Sequence, residues 1–230
     1  MDSFQRLTLL IGENNLEKIK NTTVLVLGLG GVGSYAVEML VRSGIGHLIL
    51  VDNDVITQTN LNRQLIALNS NIGQLKTKAW EERIKEINPS CNIKTYQEFI
   101  TPENLKELFV DKIDYVIDAI DYLPTKKEII RYCTKNNIPF ISSMGTGNKL
   151  DPTKLNITEL SKTSYDPIAR ILRKMVKEEK INKKIYVVSS IENPKVKIDK
   201  TIPSSSFVPS YAGILCANFV IRKIIGDYHE

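Results

Sequence analysis

Val24-Leu-Val-Leu-Gly-Leu-Gly-Gly-Val-Gly33, answered at residues 48–52 by Leu48-Ile-Leu-Val-Asp52, decides the fold of this 230-residue chain. An unbroken apolar run of this length reads as a strand buried on both faces. Gly28, Gly30 and Gly33, with Gly31 among them, form G-x-G-x-x-G at the entrance to the helical run 34–43. Glycines there let the chain turn tightly and bring bare backbone N–H groups up to a phosphate at the positive end of the helix. Asp52, closing the second apolar run, stands where an acid accepts hydrogen bonds from a ribose. Strand, glycine turn, helix and acid together specify a nucleotide site.

Outward from this unit the pattern alternates. Strands are expected at 22–28, 47–52, 93–99, 113–118 and 138–143, with helices at 31–44, 74–87 and 124–137 between them. Thr101-Pro-Glu-Asn104 reads as a further helix start, with Thr101 as N-cap and Pro102 in the first turn. Such β-α alternation gives an α/β fold with a doubly wound, mainly parallel, Rossmann-like sheet. Ligands bind such sheets beyond the carboxyl ends of the strands, where Asp52, Asp118 and Asp121 are expected to gather. After Gly145-Thr-Gly147 the character changes. Short strands at 155–159 and 185–190, a charged helix at 166–180 and an apolar helix at 209–225 elaborate the first sheet rather than form a separate domain.

Bulk composition narrows the function. An apolar content of 42% is ample for a core. The three cysteines, Cys91, Cys133 and Cys216, lie far apart with no C-x-x-C, and there are only 2 histidines. That argues against a zinc site or a disulfide framework and fits a reducing, cytoplasmic setting. No apolar run reaches the ~20 residues of a membrane helix, so no membrane span is expected; 211–221 is apolar but short and contains Asn218. The net charge of +5 is a mild tilt toward anionic partners.

A nicotinamide-dependent dehydrogenase is the default tenant of a G-x-G-x-x-G site, but the following charges favour ATP. A dinucleotide needs little beyond the glycine loop, whereas ATP used for adenylyl transfer needs cations on its phosphates and a carboxylate for magnesium. The chain offers Asn60-Leu-Asn-Arg63-Gln64, Gly73-Gln-Leu-Lys76 and Asp118-Ala-Ile-Asp121. Arg63 can fork onto phosphate oxygens, Lys76 is a point charge for the α-phosphate, and Asp121 can hold a metal. Taken singly, Arg63 and Lys76 open helical stretches where a solvated charge is ordinary, and Asp118 can simply cap the following turn. Taken together and in this order, they read as a site.

The set Gly28-x-Gly30-Gly-x-Gly33, Asp52-x-Asp54, Asn60-x-x-Arg63-Gln64, Gly73-x-x-Lys76 and Asp118-x-x-Asp121 resembles the ubiquitin-activating-like superfamily, which adenylates carboxylates with ATP and magnesium. The resemblance covers residues 4–147 and implies Asp52 on the ribose, with Asp54 in the same motif. It places Asn60, Arg63 and Lys76 on the phosphates and Asp121 on magnesium. It also implies a homodimer in which Arg6 reaches the partner's site.

Two branches compete for the carboxylate. Sulfur-carrier activators adenylate the C-terminal glycine of a ubiquitin-like protein, and they generally carry paired C-x-x-C zinc motifs and often an acyl-accepting cysteine. The zinc pairs are absent, and at least two of the three cysteines read as buried structural thiols. Gly44-Ile-Gly-His47, Tyr115-Val-Ile-Asp-Ala-Ile-Asp121, Asp151-Pro-Thr, Ser161-Lys-Thr with Asp166-Pro167, and Ser204-Ser-Ser-Phe-Val-Pro209 resemble instead the tRNA threonylcarbamoyladenosine dehydratase family. That resemblance spans nearly the whole chain. It implies one ThiF-like adenylating domain over 1–230, with an ATP-binding core at 1–147 and a substrate- and tRNA-facing elaboration at 148–230. The reaction it implies is adenylation of the threonine carboxylate on a modified adenosine beside the tRNA anticodon, followed by ring closure. A sulfur-transfer partner is left open. Between Lys162 and Lys184 lie eight cations against three acids. That stretch is either a phosphate-tracking surface or a solvated helix face, and Tyr165 and Tyr186 are either stacking rings or core.

Overall fold

The computed structural model describes residues 3–197 and 201–228. Two helices, α1 (Gln5–Ile11) and α2 (Glu13–Lys20), lead into β1 (Thr23–Leu27), α3 (Gly33–Arg42) and β2 (His47–Val51). Then follow α4 (Lys76–Ile87), β3 (Asn92–Tyr96), β4 (Tyr115–Asp118), α5 (Leu123–Asn136) and β5 (Phe140–Ser143). The chain ends with β6 (Leu155–Glu159), α6 (Pro167–Glu178), β7 (Tyr186–Ser190) and α7 (Phe207–Ile225).

Seven strands make one sheet in the order β3-β2-β1-β4-β5-β7-β6. All neighbours are parallel except β6, which runs antiparallel to β7. This is the doubly wound α/β sheet expected from the sequence. The stretch beyond 147 adds β7 and β6 to the same sheet, and α7 packs on α3. Strand ends are in register: Leu27 pairs with Val51 on one side and Asp118 on the other. The loops after β1, β2 and β4 therefore leave from one edge. Strand order reverses between β1 and β4, which opens a crevice there.

Alternate strand residues feed two cores. Val24, Val26, Leu48 and Leu50 join residues of α3, α4 and α7, including Val37, Trp80 and Phe219. Leu25, Leu27, Ile49 and Val51 face the opposite layer, which includes Ile129, Ile130 and Cys133 of α5 and Leu172 and Met175 of α6. All four positions Val24–Leu27 are buried, as a parallel strand covered on both faces requires.

One sequence expectation needs correction here. The helix starting at Thr101 is only a short 3-10 turn, Leu105–Phe109. Thr101 does not cap it; the Asn104 side chain turns back and accepts the Thr101 N–H at 2.8 Å. Leu105 and Leu108, three apart and so on one side of a 3-10 turn, are the pair that is buried. The apolar helix expected at 209–225 is α7, 19 residues long and apolar enough by composition to cross a bilayer. It is a core helix instead: Val208, Ala212, Cys216 and Val220 are fully buried. A Cβ at Gly213 would lie 2.2 Å from the Val32 carbonyl oxygen, so only glycine allows α7 to cross this close to α3.

Candidate nucleotide site

The crevice at the switch point is a cleft of about 430 Å³, lined by Gly28, Gly30, Gly31, Asp52, Asp54, Asn60, Arg63, Gln64, Lys76 and Asp121, among others. The structure thus brings together ten of the positions expected from sequence. Gly33 and Arg6 are not among its lining. Gly33 serves packing: a Cβ there would sit 1.8 Å from the Gly28 carbonyl oxygen, so glycine is what lets the helix start against the strand end. Gly28 itself turns through φ +86, and a Cβ would meet the Ala119 carbonyl at 2.8 Å. Arg6 is exposed on α1, away from this chain's own cleft.

The glycine loop is shaped as an anion cradle. Gly28 N–H is held by the Val51 carbonyl at 2.9 Å, and Leu29 N–H by Asp52 Oδ2 at 2.7 Å. The N–H groups of Gly30, Gly31 and Val32 have no partner among the described residues, and they stand at the N-terminus of α3, where the helix dipole is positive. Above them Gln64 is buried with its Oε1 unpartnered, which leaves an acceptor for a ligand donor.

Asp52 does more than wait for a ribose. Its second oxygen accepts the Asp54 N–H at 2.8 Å, so the carboxylate ties the β2 loop to the glycine loop and keeps spare lone pairs toward the cleft. Lys76 opens α4 and is buried rather than solvated, with Nζ 2.7 Å from Asp54 and 3.4 Å from Asp52. The Asp54 side chain is 59% exposed, so an incoming phosphate can share this ammonium. Arg63 does not open a helix. It sits in the turn after the 3-10 segment Gln58–Asn60, where Nη1 donates to the Thr59 carbonyl at 2.8 Å and to Asn62 Oδ1 at 2.9 Å. Nε and Nη2 carry no partner among the described residues. Asn60 is buried, its Oδ1 accepting the Thr57 N–H at 3.1 Å, which fixes that turn.

The two acids at the end of β4 part company. Asp118 does not reach the cleft. It is fully buried, 2.8 Å from Lys126 Nζ and 2.6 Å from the Ser142 hydroxyl, while Oδ1 caps the Ile120 N–H at 3.2 Å. Lys126 in turn donates to the Ser143 carbonyl at 3.0 Å. Asp121 is exposed at the cleft and makes no hydrogen bond or ion pair among the described residues. A lone carboxylate beside a phosphate cradle suits magnesium, which is usually held by one or two carboxylates and the substrate's phosphates. No cluster of three or more metal-binding side chains exists among the described residues.

Sequence reasoning missed Lys126, and also Phe99, Thr146, Ser204 and Pro209 of the cleft lining. Phe99 is 51% exposed and rests at 5.2 Å on the Tyr122 ring, offering an apolar wall. Asn62 donates to the Ser204 carbonyl at 3.1 Å and so draws the segment before α7 across the cleft mouth. All three cysteines are buried, and burial pushes each thiol up to about 12. Tyr186 is no stacking platform, since its ring packs at 5.1 Å on Phe219.

Comparison with known proteins agrees with this fold. The ThiF family model matches residues 4–230. The tRNA threonylcarbamoyladenosine dehydratase of Bacillus subtilis is 42% identical over 244 residues, covering 99% of this chain and 96% of that protein. The crystal structure of the E. coli tRNA N6-threonylcarbamoyladenosine dehydratase in complex with ATP superposes with a TM-score of 0.90 at 34% identity, covering 97% of this chain and 93% of that one. Its AMP complex gives 0.91. A sulfur carrier protein ThiS adenylyltransferase of E. coli is more distant, matching only 58% of this chain. The chain belongs to the ThiF family, within its tRNA threonylcarbamoyladenosine dehydratase branch.

Proposed function

We propose that this chain uses ATP to dehydrate threonylcarbamoyladenosine beside the tRNA anticodon. The observation that carries the reading is the convergence of Lys76, Arg63 and the unpaired Asp121 around the open N–H groups of the glycine loop, in a chain with no reactive thiol.

A carboxylate oxygen of the threonine moiety attacks the α-phosphorus of ATP, and the bond to pyrophosphate breaks. Lys76 and Arg63 hold the phosphate charge during this step, and the N–H groups of Gly30, Gly31 and Val32 cradle it. Asp52 accepts from the ribose, and Asn60 and Gln64 complete the pocket. Asp121 would hold magnesium, which neutralises charge on the phosphates. The neighbouring carbamoyl group then attacks the activated carbonyl, the ring closes, AMP leaves and one proton is lost. The substrate has lost one water. No enzyme nucleophile is needed, and thiols raised to about 12 supply essentially no thiolate at neutral pH. That favours internal ring closure over transfer of an acyl group to a cysteine, and with it the dehydratase over the sulfur-carrier reading. A sulfur-transfer partner is not required by this chemistry.

The active form we propose is a homodimer that works in the cytoplasm. Arg6 lies beside Leu9 and Leu10, which are 82% and 81% exposed on α1, an apolar strip suited to a second copy. Arg6 would then reach the partner's cleft. Arg6→Ala and Asp121→Ala, each inactive alone, would on mixing recover about a quarter of wild-type activity, because half of the dimers are mixed and each holds one intact site. Absence of recovery in mixed dimers overturns the shared site. The function itself is tested by AMP and pyrophosphate release, which must require tRNA bearing the modified base; release equally fast without tRNA contradicts it.

A further inference from the structure

The helical layer formed by α5 and α6 carries a surface that the nucleotide chemistry leaves unused. α6 opens at Asp166, a buried carboxylate whose Oδ1 accepts the Ala169 N–H at 2.8 Å and whose Oδ2 accepts the Gly145 N–H at 2.9 Å. Gly145 precedes Thr146, which lines the cleft. One side chain therefore ties the start of this helix to the rim of the nucleotide site.

From that anchor Ala169, Leu172 and Met175 face the sheet, which leaves Arg170, Lys174 and Lys177 in solvent along a stripe of helical period. The 12-residue helix carries the stripe about 18 Å outward from the rim. Lys127 of α5, Arg170 and Lys174 border one open groove together with Tyr165. The side chains of Lys127 and Arg170 make no hydrogen bond or salt bridge among the described residues, and Lys174 reaches only Glu178 at 3.7 Å. Tyr165 is unusual on two counts: it is 64% exposed, and it is held at φ +58, a left-handed conformation that a large side chain rarely adopts. Its neighbour Asp166, locked by two backbone N–H groups, maintains that turn. A bulky ring fixed outward beside Lys127 and Arg170, with Lys174 held only loosely by Glu178 on the same groove, is what an unpaired base and its phosphates require.

We propose that Tyr165 with Lys127, Arg170 and Lys174 is the docking surface for the unpaired anticodon-loop strand of the tRNA. Tyr165 stacks on a base flanking the modified adenosine, and the cations take phosphates. The inference rests on the tRNA reading above and adds where the strand lies. An acidic protein would use the cations and leave the ring idle, which the test separates.

The experiment measures binding of an anticodon stem-loop carrying threonylcarbamoyladenosine across a salt series, with ATP affinity measured in parallel. Tyr165→Ala is expected to weaken RNA binding about tenfold, with Tyr165→Phe restoring it. Lys127→Ala and Arg170→Ala should each flatten the plot of log affinity against log salt by about 0.7, the share of one single-strand phosphate. Lys85→Ala, an exposed cation on α4 in the opposite layer, should leave the slope unchanged. ATP affinity should hold in every variant and reports that each is folded. Wild-type protein that binds no tRNA at all defeats the functional reading itself. Wild-type binding that survives Tyr165→Ala, or slopes that Lys127→Ala and Arg170→Ala do not change, overturns the docking surface alone.

Discussion

Asp118 closes β4 and Asp121 follows three residues later in the loop beyond it, and the fold treats them in opposite ways. Below the cleft floor every polar atom of the Asp118–Lys126–Ser142 group is spoken for, with the carboxylate and ammonium both shut off from water. At the cleft mouth Asp121, the N–H groups of Gly30 to Val32, Gln64 Oε1 and two arms of Arg63 lack partners among the described residues. Buried polar groups are normally satisfied, so a concentration of open ones in one crevice marks where a ligand completes the structure. The closed group is frame and the open group is chemistry. Charge alone would not have told them apart.

That contrast breaks most visibly at Lys126. Lys126→Met leaves Asp118 as a buried charge without its partner and should cost about 3–5 kcal/mol, read as a lower urea midpoint. The double variant Asp118→Leu/Lys126→Met removes both charges and should recover most of the loss. If Lys126→Met unfolds at the wild-type midpoint, the pair is not part of the frame. Asp121→Asn should do the reverse: activity falls by about 100-fold or more, and stability stays within about 0.5 kcal/mol. An Asp121→Asn protein that unfolds early would place Asp121 in the frame after all.

A gentler test uses a second charge cluster, Glu38 of α3 between Arg42 and Arg83. Burial alone would raise its pKa, but hydrogen bonds from Arg83 and then Arg42 outweigh that and hold it below the ordinary glutamate range. Its folded pKa lies below the unfolded value near 4.5, so its stabilisation is present above that pH and is lost as pH falls through the folded pKa. Glu38→Gln should lose about 1–2 kcal/mol at pH 7 and show a flatter acid limb in urea titrations from pH 7 to pH 3. An unchanged acid limb would contradict the assignment. Smallest of all, native protein at pH 8 should resist thiol alkylation at Cys91, Cys133 and Cys216, while urea-unfolded protein reacts. Rapid native labelling of any one would bring back a cysteine acceptor.

Much of the fold could be read from the residues because its signals are local. The run Val24–Leu27 with Gly28, and the alternation that follows, need only neighbours along the chain, and Asp166-Pro167 opens α6 as its capping chemistry dictates. Residues 101–109 misled because Asn104, not Thr101, supplies the turn's side-chain acceptor. Asn60, Arg63, Lys76 and Asp121 stand out as an ordered set, and Asp118 is legible as a cap on the following turn, but its burial against Lys126 is not. A lysine eight residues downstream of Asp118 reads as solvated, and only the packing of α5 against β4 and β5 brings it inside. Phe99 escaped for a similar reason, reaching the cleft from a distant segment that nothing nearby in sequence marks. Ser204-Ser-Ser-Phe-Val-Pro209 stands out as a motif, but only the fold shows that Ser204 and Pro209 line the cleft.

The most direct test of the account is nucleoside mass spectrometry of tRNA bearing threonylcarbamoyladenosine, incubated with the protein, ATP and magnesium and handled mildly so that the ring survives. The account predicts a nucleoside lighter by one water, seen only with ATP and lost in Asp121→Ala. An unchanged nucleoside mass, with ATP binding to the same preparation confirmed, would contradict it.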